Sequence, residues 1–529
     1  MPVIPAGAPA VRPLPRAWLL TLVLAGCWAV AAPRTPDLAA QVYRTWLFGH
    51  HGFVVWDNAW YAGHHMPGYS LVFPPLASLL GLRLTGLLAA TASTVLFELT
   101  LRGLGARRVR LACCAFAVCC IGDLLVGRLT YALGVTVGLG AMAALLHGHR
   151  RLAVALALAC APTSPVAGVF LALAATGVFL AQRRRDALVV AVAALTTVCA
   201  LALAFPEGGT EPFSVSALAA LVTLSLGAAA VLAPARRGLR HAALLYAAAA
   251  VASFLVATPL GGNVTRLGTG FLAPLLLAAG PRPGRRARAL FVLLLAGAVA
   301  WQWSEVIGEA RKGIDDPTAS RSYYAPLIAQ LRQEGANRGR VEVPFTRNHW
   351  ESAFLARRVP LARGWERQLD RRLNPIFYVD ERLTPAAYRA WLLGNGVRFV
   401  ALPAAPLDPA GLREARLIAA GLPYLQLVWR SADWRLYRVA APAPLVSGPG
   451  SLLRLDTTGV RLAARRAGAL TLRVHWSPYW RVTAGAACVT RGAGGWTHVT
   501  ASRAGVIVLE ARFSVGALLG DAARCSPAR

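Results

Sequence analysis

A series of long apolar runs separated by short arginine clusters constrains this chain more than any other feature. Runs long enough to span a bilayer, or nearly so, begin at about residues 17, 84, 111, 129, 152, 164, 187, 214, 242, 267 and 289, which predicts about eleven membrane helices. The gaps between them alternate in charge. One set carries 18 arginines, among them Arg12, Arg16, Arg107, Arg108, Arg236 and Arg285, and the other carries five: Arg34, Arg44, Arg83, Arg128 and Arg266. The positive-inside rule places the first set in the cytoplasm. The expectation is a multi-pass plasma-membrane protein with a cytoplasmic N-terminus and everything after residue 304 outside. Arg12 and Arg16 before an apolar stretch ending in Ala29-Val30-Ala31 also have the form of a signal peptide. Leu24-Ala25-Gly26-Cys27 has that of a lipoprotein box. A retained first helix is the reading adopted.

Composition agrees. Hydrophobic residues make up 56% and charged residues 15%, against about 25% charged in soluble domains. That argues against a purely cytosolic protein and against disorder. The net charge of +31 would suit nucleic acid, but here the arginines sit between apolar runs, so no nucleic-acid partner is expected.

Three regions follow. Residues 1–303 form the membrane domain, with a long first outer loop at 33–73. In that loop Thr35-Pro36-Asp37 reads as a helix start, and Leu38, Val42, Trp46 and Leu47 make one apolar stripe. An amphipathic helix lying in the interface is expected, with Trp46, Trp56, Trp60, Tyr61 and Tyr69 at headgroup level. Residues 304–441 alternate helical and strand patterns, which predicts a small extracytoplasmic α/β domain. Residues 442–529 show only strand-like runs, which predicts a small β-sandwich.

Acids are scarce in residues 1–303, so elimination narrows the chemistry. Of seven, Glu98 and Asp186 fall at the inner face. Asp37, Asp57, Asp123, Glu207 and Glu211 remain outside, and a carboxylate beside a bilayer is a functional candidate by default. The plain alternative for Asp37 is a helix-start acid gaining ~0.3–1 kcal/mol from the dipole, and for Asp57 a turn residue. His50, His51, His64 and His65 crowd the same loop. With Asp37 or Asp57 they form a candidate site for a divalent metal such as Mg or Mn, the alternative being interfacial hydrogen bonding. Arg128 and Arg266 are the only arginines in the later outer loops, and a guanidinium binds phosphate bidentately; snorkelling or pairing with Asp123 is the alternative. Of nine cysteines, only Cys488 and Cys525 lie in the polar half. They are the expected disulfide, worth ~3–4 kcal/mol in the chain-entropy model. The ATPase, metalloprotease and hydrolase motifs GxxxxGK[ST], HExxH and GxSxG are absent.

This order of parts resembles the GT-C-type membrane glycosyltransferases that use polyprenyl-phosphate sugars. The features are Asp37 soon after the first span, the stripe Leu38 to Leu47, and Phe73-Pro74-Pro75 before the second span. The segments Ser477-Pro478-Tyr479-Trp480-Arg481-Val482, Gly494-Gly495-Trp496 and Ala504-Gly505-Val506 resemble the terminal β-domain of such proteins. A closer set of actinobacterial membrane proteins of unassigned function is similar in Asn348-His349-Trp350-Glu351 and Pro360-Leu361-Ala362-Arg363-Gly364-Trp365-Glu366-Arg367. The resemblance implies an inverting transferase moving sugar from a polyprenyl-phosphate donor to a cell-envelope glycan or lipid acceptor, among membrane lipids. Asp37 would act as base, with Asp57 a second catalytic candidate, and Arg128 or Arg266 would hold the lipid phosphate. Trp350, Trp365, Trp480 and Trp496 are candidates to stack acceptor sugar, though core packing is the plainer role for most of them. The rival readings are a non-enzymatic glycan-binding scaffold and, third, a transporter, which wants acids near the membrane midplane.

Overall fold

The computed structural model describes residues 17–518 and 520, apart from 234, 235 and 380; Arg12, Arg16 and Cys525 lie outside the described residues. The chain opens with α1 (Ala17–Ala31), α2 (Pro36–His51), a hairpin of β1 (Trp56–Asp57) and β2 (His64–His65), and α3 (Phe73–Leu80). Ten apolar helices follow: α4 (Leu82–Gly103), α5 (Val109–Val126), α6 (Leu129–Leu146), α7 (Arg150–Thr163), α8 (Pro165–Gln182), α9 (Arg185–Ala204), α10 (Val215–Val231), α11 (Arg237–Leu255), α12 (Thr265–Ala279) and α13 (Arg285–Lys312). Each of the eleven expected runs is thus a helix.

Seven of these helices (α4, α5, α6, α8, α9, α11 and α13) are long and apolar enough to cross a membrane, so this is a multi-pass membrane protein. The other four have 14–17 residues. At 1.5 Å per residue they reach roughly 21–26 Å, short of a hydrocarbon core of about 30 Å. The expected count of eleven is therefore reached only if the short helices also span.

The two sets of connections separate to opposite ends of the bundle. At one end Arg236 donates to Gly105 O, Arg184 to Leu145 O, and Arg282 N–H to Val231 O. At the other end Gly127, Pro162, Ala204 and Glu207 all contact the 33–73 loop or the C-terminal half.

The C-terminal half continues with α14 (Arg321–Gln333), β3 (Arg340–Glu342), α15 (Glu351–Phe354), α16 (Arg367–Leu373), α17 (Pro385–Gly394), β4 (Val397–Pro403), α18 (Pro409–Ala419), β5 (Leu425–Arg430) and β6 (Trp434–Val439). The sheet order is β3-β4-β6-β5, with β3 parallel to β4 and the other pairs antiparallel. The expected boundary at 303 falls inside α13, which runs on to Lys312. The β-sandwich pairs one sheet of β12 (Ala487–Arg491), β13 (Trp496–Ala501), β10 (Gly468–His475) and β7 (Val446–Ser447) with another of β11 (Trp480–Ala484), β14 (Gly505–Ala511), β9 (Gly459–Ala464) and β8 (Gly450–Leu455). A short α19 (Val515–Leu518) follows. Cys488 is disulfide-bonded, while the seven cysteines from Cys27 to Cys199 are free.

The 33–73 loop corrects the interfacial expectation. Trp56, Trp60 and Tyr61 are buried, not at headgroup level. α2 and the β1–β2 hairpin share a core with Tyr324, Trp350, Phe399 and Trp434 of the α/β domain. Trp60 stacks on Tyr43 at 4.4 Å and donates from its indole N–H to Ser352 O at 3.1 Å. An amphipathic stripe presents the same pattern to a lipid surface as to a protein domain.

Candidate active site

Local rules bring three turns together at the loop-bearing end of the bundle. Pro36 fits the first helical position because its fixed φ and missing N–H cost nothing there, so Asp37 falls in the first turn of α2. α5 stops at Gly127, which takes a left-handed φ of +88°, and α6 restarts at Leu129, leaving Arg128 in the turn. A Cβ on Gly127 would lie 2.9 Å from both Leu38 N and Thr35 Oγ1, so only glycine lets this turn touch the start of α2. Gln41 latches the contact: its amide donates to Gly127 O, and its Oε1 accepts the Thr130 N–H at 3.0 Å. Arg266 is the second residue of α12, just after a 3₁₀ turn that the Tyr246 hydroxyl holds by donating to Val264 O at 2.7 Å.

The result is a charged cluster. Asp37 Oδ2 lies 3.3 Å from Arg128 Nε and 3.9 Å from Arg266 Nη2. Arg128 also pairs with Glu305 of α13. No hydrogen bond to Asp37 Oδ1 occurs among the described residues, the one from Arg128 going to Oδ2. The cluster opens into a cavity of about 1370 Å³ between the helices and the α/β domain. Asp37, Arg128 and Arg266 thus stand together, and the expected alternative of an Arg128–Asp123 side-chain pair is replaced by Asp37 and Glu305.

The α/β domain supplies the facing wall: Arg347, His349, Trp365, Arg367 and Asp408. His349 lies parallel to Trp365 with ring centroids 3.4 Å apart, and the Arg367 guanidinium lies 5.0 Å over the same indole. Asp408 takes Arg367 at 2.7 Å and His349 Nε2 at 3.4 Å. Burial pushes His349 down to about 4, so it is neutral near pH 7. Burial alone would raise Asp408, but His349 and Arg367 hold its carboxyl well below the usual range. Glu211, in the α9–α10 loop, also lines the cavity, and burial pushes it up to about 7.

Several expected site residues fall elsewhere. The four histidines do not converge. His50 turns back to Trp46 O at 2.8 Å, and His51 stands exposed at the end of α2. His64 stacks on Trp60 in the core, while His65 meets Glu207 at 2.7 Å and Ser477 at 2.9 Å. Adjacent strand residues point to opposite faces, so His64 and His65 of β2 do not share a ligand sphere. No group of three or more His, Cys, Asp or Glu suited to a metal occurs among the described residues. Asp37 is engaged by the two cations Arg128 and Arg266. The residues present do not fit a divalent cation, and no step is derived through one.

Trp350 and Trp480 are 2% and 0% exposed, so neither can stack an acceptor sugar. Trp496 is paired with His475 at 4.7 Å. Trp365 reaches the cavity, but its ring is already stacked and its N–H donates to Pro36 O at 2.9 Å. It holds the start of α2.

Asp57 is also displaced from the chemistry. It is fully buried, accepts from Tyr43 Oη at 3.0 Å and Ala59 N–H at 2.9 Å, and does not line the cavity. Burial pushes its carboxyl up to about 7, above about 3.9 when unfolded. Folding therefore favours the protonated form. That contribution is complete below about pH 4, is lost as pH rises toward about 7, and changes little above. Asp57→Asn is expected to remove this decline, which amounts to ~4 kcal/mol at 1.36 kcal/mol per pKa unit. Unfolding midpoints of both proteins across that range check it, and parallel pH profiles would refute it.

Sequence reasoning missed Glu305, because acids were weighed only up to residue 303. Arg347, His349, Arg367 and Asp408 were missed as well; only His349 and Arg367, which fall in the motifs Asn348 to Glu351 and Pro360 to Arg367, carried a hint of a role.

No protein-family model matches the chain, and no curated protein matches it. Among solved structures, two cryo-EM structures of the arabinofuranosyltransferase AftD from mycobacteria, one of them a mutant, are similar at 17% identity with a TM-score of 0.47. They cover 80% and 81% of this chain and 39% and 41% of their own, so this chain spans about two fifths of their length.

Proposed function

We propose that the protein is a membrane glycosyltransferase that takes sugar from a polyprenyl-phosphate donor and adds it to a cell-envelope acceptor. The observation that carries this reading is an apolar groove lying beside the charged cavity, with Tyr131 as a shared wall. The groove, about 510 Å³, runs between the helices past Gly134, Gly138, Phe170, Ala174 and Phe271 to Arg236 at the arginine-rich end. Tyr131 lines both the groove and the cavity. An apolar trough beside guanidinium groups suits a ligand with a long hydrocarbon tail and a phosphate head. In this reading the arginine-rich end is cytoplasmic, and the C-terminal domains lie outside the plasma membrane.

The geometry divides the work. Arg128, committed to Asp37 and Glu305, orients the base. Arg266 is held less closely, and its buried Nε has no partner, so it is the cation for the donor phosphate. Asp37 Oδ1 accepts the proton of the acceptor hydroxyl as that oxygen attacks the anomeric carbon. The bond from that carbon to the phosphate oxygen breaks with inversion, and Arg266 meets the charge gathering on the departing polyprenyl phosphate.

Native mass spectrometry of the gently purified protein tests the donor class. A retained polyprenyl-phosphate sugar is expected in the wild type and not in Ala174→Phe, whose ring would fill the groove. Ordinary phospholipids alone, even after loading with candidate donors, would favour the glycan-binding scaffold instead.

Trp365→Phe tests the clamp on α2. It keeps an aromatic ring against His349 but loses the indole N–H donated to Pro36, the hydrogen bond alone being worth ~1 kcal/mol of stability. Small misplacement of a base is costly, so kcat is expected to fall about tenfold with KM little changed. An unchanged kcat would leave the clamp without a catalytic role.

A further inference from the structure

The β-sandwich carries an apolar patch that continues the outward face of a membrane helix. α9 has the highest mean hydropathy of the candidate spans, 2.5, and only 22% of it is buried inside the protein. Its exposed residues Leu188, Val192, Leu195 and Leu203 recur at helical spacing and form one stripe. Leu203, 74% exposed, is the last large side chain of that stripe.

The chain after the last strand of the sandwich sits beside this point. Phe513 stacks near Phe205 at 5.8 Å and Tyr479 at 5.4 Å, and the Tyr479 hydroxyl donates to Ala204 O at 2.7 Å. Ala517 is buried with Phe205 and Tyr479. Around that anchor Phe513, Val515 and Leu518 stand 51%, 61% and 42% exposed. Arg512 and Arg481 flank them, Arg512 paired with Glu510 and Arg481 bonded to Ser514.

We infer that Phe513 to Leu518 dips into the headgroup boundary of the bilayer beside α9, giving the β-sandwich its own attachment to the lipid surface. Three large apolar side chains in one short segment exceed the scattered exposure normal for a soluble surface. Their position directly beyond the stripe of α9 places them at the depth where that stripe ends. Apolar side chains with flanking arginines are the pattern of interfacial anchors. The inference rests on the membrane span of α9 and not on the transfer chemistry.

Site-directed spin labelling of the full chain in nanodiscs of phosphatidylethanolamine and phosphatidylglycerol tests it. The exposed free cysteines Cys27, Cys114 and Cys199 are first replaced by alanine. Labels then go on Val515→Cys and Leu518→Cys, with Val192→Cys as the lipid reference. Arg466→Cys, in the hairpin at the far end of the sandwich by the β9–β14 register, is the aqueous reference. The expected result is several-fold greater collision with oxygen than with a water-soluble nickel chelate at 515 and 518, as at 192 and opposite to 466. Behaviour like that of 466 would overturn the inference. Protection from both reagents with dipolar broadening between labels would also overturn it, assigning the patch to a second copy of the chain.

Discussion

Asp37→Asn is expected to reduce sugar transfer about 10²–10⁴-fold, the range a positioned general base contributes, while the protein still folds and still retains its donor. Asparagine has the shape of the aspartate and can keep an oxygen 3.3 Å from Arg128 Nε, so the turn between α5 and α6 stays in place. Arg128 also keeps Glu305, which spares it from becoming a buried cation without a partner. What is lost is the negative oxygen facing the cavity. Turnover with a polyprenyl-phosphate sugar, read alongside donor retention by native mass spectrometry, separates the roles. A variant within tenfold of wild-type turnover would remove Asp37 from the base role. Loss of donor as well as turnover would mean that Asp37 organises the phosphate site rather than the proton transfer.

Arg363→Met is expected to cost ~3–5 kcal/mol, the usual result of removing one partner from a buried ionic network. That is a large share of a typical total of about 5–15 kcal/mol. Arg363 is 1% exposed, lies 2.8 Å through Nε from Glu342 and pairs also with Glu414. Its guanidinium is 4.1 Å from the Phe345 ring and 3.9 Å from the Phe377 ring. Tyr388 donates to Glu414 at 2.8 Å, and Asp370 lies 4.0 Å away. Burial already pushes the Glu342 and Glu414 carboxyls upward, against the pull of Arg363. Without the arginine they would rise further, so the variant would be most stable in acid and lose stability as pH increases from about 4.5. Thermal unfolding and limited proteolysis of the α/β domain across pH report this directly. A loss under 1 kcal/mol, or one that shrinks as pH rises, would contradict it.

These two variants lie close to segments that one and the same sequence reading singled out, yet their roles differ. Asp37 stood out because acids are rare in residues 1–303 and because Thr35-Pro36-Asp37 starts a helix by local rules. Arg128 and Arg266 stood out because the connections on their side hold so few arginines. In the motif Pro360 to Arg367, by contrast, the sequence offers no way to tell that Arg363 is sealed in a core, that Trp365 braces α2 and that Arg367 faces a cavity. Neighbours in sequence acquire opposite environments when a short segment wedges between two domains.

What the amino-acid sequence by itself determined is the set of local decisions. They are the eleven apolar helices, the separation of their connections into arginine-rich and arginine-poor ends, the strand pairs of the α/β domain and the alternating strands of the sandwich. Each depends on periodicity, capping and charge within a few residues of itself. What only the tertiary structure decided is which of those elements share an environment. Trp365 lies 329 residues from Pro36 and yet hydrogen-bonds to it, and Glu305 reaches Arg128 from 177 residues away. The same distance effect buries the aromatic loop that looked interfacial, scatters four clustered histidines and closes Asp57 away from solvent. Burial and pairing at these positions are set by packing between remote segments, and an apolar stripe is identical in sequence whether lipid or protein covers it.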